Sequence, residues 1–140
     1  MSVLITGGMG ALGSSVARAF VNNGEKPVLF DMLEDYTIIS DIKDQVIFVK
    51  GDVLDQEKIG TIIKKHKIET VIHTVSLLSA VDPRKMIPIN TRGTEMILWT
   101  ALDYNVKRVV YISSKGVYNV TSDTYAHPCY MPLGVDYPKD

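Results

Sequence analysis

Residues Thr6-Gly7-Gly8-Met9-Gly10-Ala11-Leu12-Gly13 follow a short apolar run, Val3-Leu4-Ile5, and lead directly into a helical pattern. The apolar run predicts a buried strand, and the glycines predict a tight turn between that strand and a helix. Such a turn brings backbone N–H groups and the positive end of a helix dipole to one place, which suits a pyrophosphate. The eight residues therefore predict a phosphate-binding turn at the start of an α/β domain.

The glycines of this turn have different expected uses. Gly7 and Gly8 permit a tight turn, Gly10 lets the backbone approach the phosphates, and Gly13 lets the helix lie close to the strand. Gly24 is expected to end that helix. One face of the helix is predicted from apolar residues at helical spacing, which are Leu12, Val16, Ala19 and Phe20.

A second apolar run, 28–30, ends in Asp31, which follows Gly13 by 18 residues. An acid at about this distance from a glycine turn hydrogen-bonds the ribose hydroxyls of adenosine in dinucleotide-binding folds. The alternative is a flavodoxin-like or other α/β loop with an incidental aspartate. The combination of strand, glycine turn, helix, strand and acid favours the dinucleotide site.

Length and composition narrow the class of protein. The chain has 140 residues and a formal net charge of −1, so we expect one domain and have no electrostatic reason to expect nucleic acid or an anionic membrane. No apolar run approaches a membrane span, and because Met1 comes two residues before the apolar run of the first strand, we expect no signal peptide. The single cysteine, Cys129, excludes an internal disulfide and suggests no metal site. A cytoplasmic location follows as the expectation.

Strand and helix signals alternate along the chain. Asp55 is predicted to cap one helix, and Asp82-Pro83 to begin another that restarts or kinks at Pro88 and continues to about Asn105. Residues 32–45 have a mixed pattern that fits either a short helix or a loop, and from Tyr118 onward the pattern is irregular. The expected strands are 2–6, 27–31, 46–50, 70–74 and 108–113.

The alternation predicts an α/β fold, specifically a Rossmann doubly wound parallel sheet of about five strands in the order 3-2-1-4-5. Strands three, four and five are almost continuously apolar, which is typical of strands covered on both faces. The nucleotide is expected at the carboxyl edge between strands one and four, where the direction of winding reverses.

Several motifs now agree in order and spacing with one family. The chain resembles the amino-terminal part of an extended short-chain dehydrogenase/reductase of the NAD-dependent epimerase/dehydratase family. The matching segments cover nearly the whole chain: residues 6–13, Asp31, Gly51-Asp52-Val53, His73-Thr74-Val75, Asn90-Thr91-Arg92-Gly93-Thr94 and Tyr111-Ile112-Ser113-Ser114-Lys115-Gly116-Val117-Tyr118. The first and the last of these are the most specific.

The resemblance implies NAD as the cofactor and assigns its contacts. Asp31 would contact the adenosine ribose and favour NAD over NADP, since its charge repels a 2′-phosphate. Asp52, with Val53, would meet the adenine edge, and the alternative is an acid at a strand end or helix entry. His73 is expected to be structural, and Asn90 either orients groups near the active site or bonds backbone. The implied cofactor-binding residues are Gly7, Gly10, Ala11, Leu12, Gly13, Asp31, Asp52, Val53, Thr74, Val75 and Ser113.

Ser114 is the implied catalytic residue, because the family serine at this place hydrogen-bonds the reacting oxygen of the substrate. The family also uses a helical tyrosine with a lysine four residues later, which acidifies the phenol. Here only Tyr111 has such a lysine, Lys115, and both lie along the fifth strand and its exit, too far apart to form one helical turn. We therefore expect a truncated product whose catalytic helix would follow Asp140, with strand five left as an exposed edge.

Three functions remain open at this point. The first is an NAD-dependent oxidoreductase or isomerase of the epimerase/dehydratase type, acting on a nucleotide sugar and forming a homodimer through the helix around Met96 in the complete protein. The second is a non-catalytic NAD-binding module or inactive fragment, and we expect binding without turnover. The third is an atypical reductase that pairs Ser114 with another acid, such as Tyr118. Tyr118, His127 and Cys129 would lie at the substrate entrance or in a solvated loop.

Overall fold

The computed structural model describes residues 1–77 and 81–114, whose strands and helices alternate as predicted. The strands are β1 (Val3–Thr6), β2 (Val28–Asp31), β3 (Ile47–Lys50), β4 (Thr70–His73) and β5 (Arg108–Tyr111). The α-helices are α1 (Ala11–Asn22), α2 (Gln56–His66) and α3 (Pro83–Asp103). The segment of mixed pattern forms turns and a short 3-10 helix, Lys43–Gln45, before β3.

The strands form a parallel sheet in the order β3-β2-β1-β4-β5, which confirms the doubly wound Rossmann arrangement. The sheet register pairs Thr6 at the end of β1 with Phe30 of β2 and with His73 of β4. The chain winds in opposite directions from β1, so a crevice opens beyond the carboxyl ends of β1 and β4.

Burial differs sharply between the inner and outer strands. Every residue of β1 and β4 is buried, whereas β3 is only partly covered and three of the four residues of β5 are exposed. The expectation that strands three and five are covered on both faces is therefore wrong, because both are outer strands of the described sheet. The expected exposed apolar edge is present at β5, where Val110 and Tyr111 are accessible.

Helix α1 packs through a different face from the one its apolar spacing predicts. Its buried residues are Gly13, Ser14, Ala17 and Val21, while Leu12 and Ala19 are exposed and Val16 and Phe20 are half-buried. Small residues line the buried face because the helix lies close to the sheet, and a row of large side chains would hold it away. The apolar pattern thus predicts the helix correctly but predicts the wrong buried face.

Both predicted aspartate caps are present, but the predicted restart at Pro88 is wrong. Asp55 accepts a hydrogen bond from the Lys58 N–H, and Asp82 accepts one from the Arg84 N–H. Helix α3 runs through Pro88 without interruption. The proline removes only the hydrogen bond to the carbonyl of Arg84, an exposed residue where water can replace it.

The long helix α3 has one face in the core and one face exposed. Ile97 and Ala101 are buried on the face toward the core. Its exposed large apolar side chains are Ile87, Leu98, Trp99 and Leu102. No helix within residues 1–77 and 81–114 is long and apolar enough to cross a bilayer.

Candidate functional site

The glycine turn lies between β1 and α1, at the carboxyl edge of the sheet. Gly7 has φ of 72°, a left-handed conformation that favours glycine. Its N–H donates to the Phe30 carbonyl at 2.8 Å, and the Gly10 N–H donates back to the Gly7 carbonyl at 3.0 Å. The turn is therefore closed by its own backbone and attached to β2.

Gly13 has the close packing that the sequence predicts, whereas the approach of phosphates to Gly10 stays a prediction. A Cβ at Gly13 would lie 2.1 Å from the Gly7 carbonyl oxygen, so only glycine lets α1 approach the turn this closely. Gly10 is exposed, and a Cβ there would meet only the Gly7 oxygen, at 3.3 Å. The backbone at Gly10 is thus open on the side where a ligand would approach.

The beginning of α1 has unused hydrogen-bond donors. The first N–H groups of any helix have no partner within the helix, and the positive end of the helix dipole lies there. Asp55 and Asp82 satisfy this need in α2 and α3, but no side chain caps α1, whose N-cap residue is Gly10. Beside a glycine turn, this arrangement suits the phosphates of a nucleotide.

A cavity of about 420 Å³ adjoins the turn. It is bounded by the glycine turn, the carboxyl end of β2, the segment after β3 and the segment after β4. The predicted site residues in its wall are Gly7, Gly10, Asp31, Val53, Thr74 and Val75. Two exposed apolar residues of the same wall, Met32 and Leu33, are not among the predicted site residues, although their place directly after Asp31 at a strand end could have indicated them.

Asp31 connects two loops at this cavity. Its Oδ2 accepts a hydrogen bond from the Met9 N–H at 3.1 Å, and its Oδ1 accepts one from the Leu33 N–H at 3.3 Å. The carboxylate therefore holds the glycine turn as well as lining the cavity. No lysine or arginine of the described residues lines this wall, so nothing there would balance a 2′-phosphate.

A second cavity, of about 560 Å³, lies beside the first and shares the wall formed by residues 74–77. Leu12, Ser113 and Ser114 line it, which brings the predicted catalytic serine to the carboxyl edge near the glycine turn. Asn90 docks the shared wall onto α3: its side chain accepts from the Leu77 N–H at 2.8 Å and donates to the Leu77 carbonyl at 2.9 Å. Asn90 thus bonds backbone, and by doing so orients a wall of both cavities.

His73 is buried beneath this edge, with 1% of its surface exposed. The Thr94 hydroxyl donates to the Asn90 carbonyl, so it accepts from His73 Nε2–H at 3.1 Å, and His73 Nδ1 then accepts from the Thr6 hydroxyl at 2.6 Å. The Tyr111 ring stacks on the imidazole with a centroid distance of 6.0 Å. Burial lowers the pKa of His73 to about 4, so the ring is neutral at pH 7. The expectation of a satisfied structural histidine is confirmed.

Three predicted cofactor residues do not line either cavity. Ala11 begins α1 and Gly13 packs under the turn, while the Asp52 carboxylate accepts from the Leu54 N–H at 3.0 Å, at the entry to α2. Asp52 therefore has the helix-entry role in this structure, and its contact with adenine stays a prediction. Lys115, Tyr118, His127 and Cys129 lie outside the described residues.

The residues present fit NAD. The glycine turn and the uncapped α1 offer hydrogen-bond donors that suit a diphosphate, and Asp31 offers a carboxylate in the wall of the adjoining cavity. The contact of Asp31 with the adenosine ribose stays a prediction. Fold and site together define a dinucleotide-binding domain of the doubly wound class.

Comparison with known proteins agrees with this class and gives the family. A family model described as "NAD dependent epimerase/dehydratase family" matches residues 3–132. The chain belongs to this family, whose members are NAD-dependent enzymes. The predicted resemblance is thereby confirmed.

Individual relatives are nucleotide-sugar enzymes. A UDP-glucose 4-epimerase from Halalkalibacterium halodurans is 32% identical over 139 residues, which are 95% of this chain and 38% of that protein. A dTDP-D-glucose 4,6-dehydratase from Dictyostelium discoideum is 32% identical over 83% of this chain and 29% of its own length. The crystal structure of UDP-glucose 4-epimerase from Brucella ovis in complex with NAD has a TM-score of 0.82 at 28% identity, covering 99% of this chain and 41% of that one. The chain thus spans less than half the length of these relatives.

Proposed function

We propose that this chain forms the NAD-binding part of an epimerase/dehydratase-type oxidoreductase or isomerase that acts on a nucleotide sugar. The observation that carries the proposal is the shared wall at residues 74–77, which joins the cavity of the glycine turn to the cavity of Ser114. A cofactor held by its diphosphate at the turn can extend along this wall toward the serine. The family and the relatives' names support a nucleotide sugar as substrate.

The proposed roles follow from position. The glycine turn and the first N–H groups of α1 bind the diphosphate, and Asp31 accepts hydrogen bonds from the adenosine ribose. Ser113 lies on the cofactor side of the second cavity, and Ser114 donates a hydrogen bond to the reacting oxygen of the substrate. NAD, when bound, supplies a hydride acceptor. The buried neutral His73 holds β1, β4 and α3 together beneath the site.

The second candidate is a non-catalytic NAD-binding module. The only tyrosine with a lysine four residues later is Tyr111, and the structure places it at the end of β5 and not on a helix. The residues of this chain therefore offer no helical tyrosine–lysine pair as the base. The third candidate, a reductase using Tyr118, depends on a residue outside the described ones.

Titration with NAD, followed by incubation with NAD and UDP-glucose, separates these candidates. Calorimetry or a rise in melting temperature is expected to show NAD binding by the chain, and absence of binding would contradict the proposed function. Formation of UDP-galactose or a 4-keto sugar would show that this chain acts as an enzyme by itself. Binding without turnover, which we expect, is the result for a chain that binds the cofactor but does not supply the base.

Asp31→Ala is expected to weaken NAD binding by about 1–3 kcal/mol, because a charged hydrogen bond to the ribose is lost and the turn loses its bond at Met9. NADP binding should change less, since the repelling charge is also gone, so the ratio of the two dissociation constants is the measurement. Asp35→Ala is the matched control, because Asp35 is an exposed aspartate of the same loop whose carboxylate accepts from the Thr37 N–H. Equal NAD affinity in both variants would remove Asp31 from the site.

A homodimer of the complete protein and a cytoplasmic location stay predictions. The exposed side chains of Leu98, Trp99 and Leu102 on α3 are compatible with a further contact there. Sedimentation equilibrium measures directly whether the protein forms a homodimer.

A further inference from the structure

Thr74 is the first residue after β4, and its hydroxyl points to the glycine turn. Thr74 Oγ1 donates to the Thr6 carbonyl at 2.7 Å, with the Gly7 carbonyl at 3.3 Å. The Thr74 N–H also donates to the Thr6 carbonyl, at 3.1 Å. Thr74, directly after β4, therefore donates two hydrogen bonds to the Thr6 carbonyl, where the turn begins.

On the side away from Thr74, the N–H groups of the turn are hydrogen-bonded to β2. In a trans peptide the C=O and the following N–H point in opposite directions. The Thr6 carbonyl accepts from Thr74, and the Gly7 N–H donates to Phe30 at 2.8 Å. The Met9 N–H donates to Asp31 on that same side. The turn is thus hydrogen-bonded on one side to the residue after β4 and on the other side to the end of β2.

Sterics make the position of the hydroxyl specific. A Cβ on Gly7 would lie 2.8 Å from Thr74 Oγ1, so the hydroxyl fills the space that the glycine leaves open. Glycine at position 7 therefore permits both the left-handed φ and the close contact with Thr74. Removal of the hydroxyl would leave the turn with the backbone hydrogen bond of the Thr74 N–H as the remaining bond from Thr74.

We propose that Thr74 is a positioning residue that orders the glycine turn before the diphosphate binds. This inference rests on the proposed function for its ligand, but the ordering itself is a property of the free protein. A turn ordered in advance binds more tightly because less conformational entropy is lost on binding. Thr74 acts through the backbone of Thr6 and Gly7, and its role is separate from any direct contact with cofactor.

The test compares Thr74→Val, which removes the hydroxyl and keeps the shape, with Thr74→Ser, which keeps the hydroxyl. Thr100→Val is the matched control, since Thr100 is a buried threonine of α3 whose hydroxyl donates to the Met96 carbonyl at 2.6 Å, away from both cavities. In the protein without NAD, amide exchange at Gly7 and Gly10 should accelerate about 5- to 10-fold in Thr74→Val, as expected for one hydrogen bond. Thr74→Ser and Thr100→Val should exchange at these amides like the unsubstituted protein.

NAD titration gives the second readout. The dissociation constant should rise about 5- to 10-fold in Thr74→Val and be restored in Thr74→Ser. Equal amide exchange in Thr74→Val and Thr100→Val would overturn the positioning role even if NAD binds. Failure of the unsubstituted protein to bind NAD would overturn the proposed function instead. Should valine prevent folding, Thr74→Ala and Thr74→Ser, which differ only in the hydroxyl, make the same comparison.

Discussion

Replacement of Gly13 by alanine is expected to lower the free energy of unfolding by about 3 kcal/mol or more and to abolish NAD binding. The added Cβ would lie 2.1 Å from the Gly7 oxygen and 2.8 Å from the Gly7 carbonyl carbon and Gly8 Cα. All three atoms belong to the backbone, so no side-chain rotation relieves the clash. Either α1 moves away from the sheet or the turn loses its shape. Urea unfolding and NAD titration measure the two effects.

Gly10→Ala is the matched control for this change. Its Cβ would meet only the Gly7 oxygen, at 3.3 Å, and Gly10 has an extended backbone that alanine adopts readily. We expect its stability to fall by no more than about 1 kcal/mol, since the residue is an N-cap. NAD affinity should nevertheless decrease, because the methyl group lies where the backbone is open to the phosphates. Similar stability of the two variants would contradict the packing argument.

The second large effect is the loss of stability as the pH falls below 7. The pKa of His73 is about 4 in the folded protein, lowered by burial, and about 6.5 in the unfolded chain. Above pH 6.5 the ring is neutral in both states. Between pH 6.5 and 4 the unfolded chain takes up the proton first, so stability decreases with falling pH. The difference between the two pKa values corresponds to a loss of about 3 kcal/mol in the free energy of unfolding, and the loss is complete once the pH is below 4.

His73→Gln isolates this contribution. Its amide can accept from the Thr6 hydroxyl and donate to Thr94, as the neutral ring does, but it does not titrate. Between pH 7 and pH 4, the free energy of unfolding of the variant is expected to fall by about 3 kcal/mol less than that of the unsubstituted protein. His66, whose pKa is lowered by burial and by Lys65, changes equally in both proteins and cancels in the comparison. Parallel stability curves would show that His73 is not held neutral.

Much of the fold follows from local sequence. The alternation of apolar runs and helical spacing was enough for five strands, their parallel order and the two aspartate caps at Asp55 and Asp82. The glycine turn was also predictable, because only glycine accepts the left-handed Gly7 and the close approach at Gly13. These features depend on backbone geometry that each short segment specifies by itself.

Other features depended on neighbours distant in sequence. The apolar pattern predicts the wrong buried face for α1. The short distance between the helix and the sheet requires small residues on that face, and this distance cannot be inferred from apolarity. The exposure of β3 and β5 depends on which strands are outermost. The uninterrupted α3 depends on Pro88 lying where the unpaired Arg84 carbonyl is accessible to water.

The sequence by itself determined a glycine turn, an acid at the end of the second strand and a serine after the fifth, because strand ends and glycine turns are local signals. Only the tertiary structure decided how these parts are held. Thr74 and Asp31 bond the turn from opposite sides, and His73 connects Thr6 to Thr94. Such bonds join residues that are up to 68 positions apart, and parallel strand pairing brings them together at one edge of the sheet.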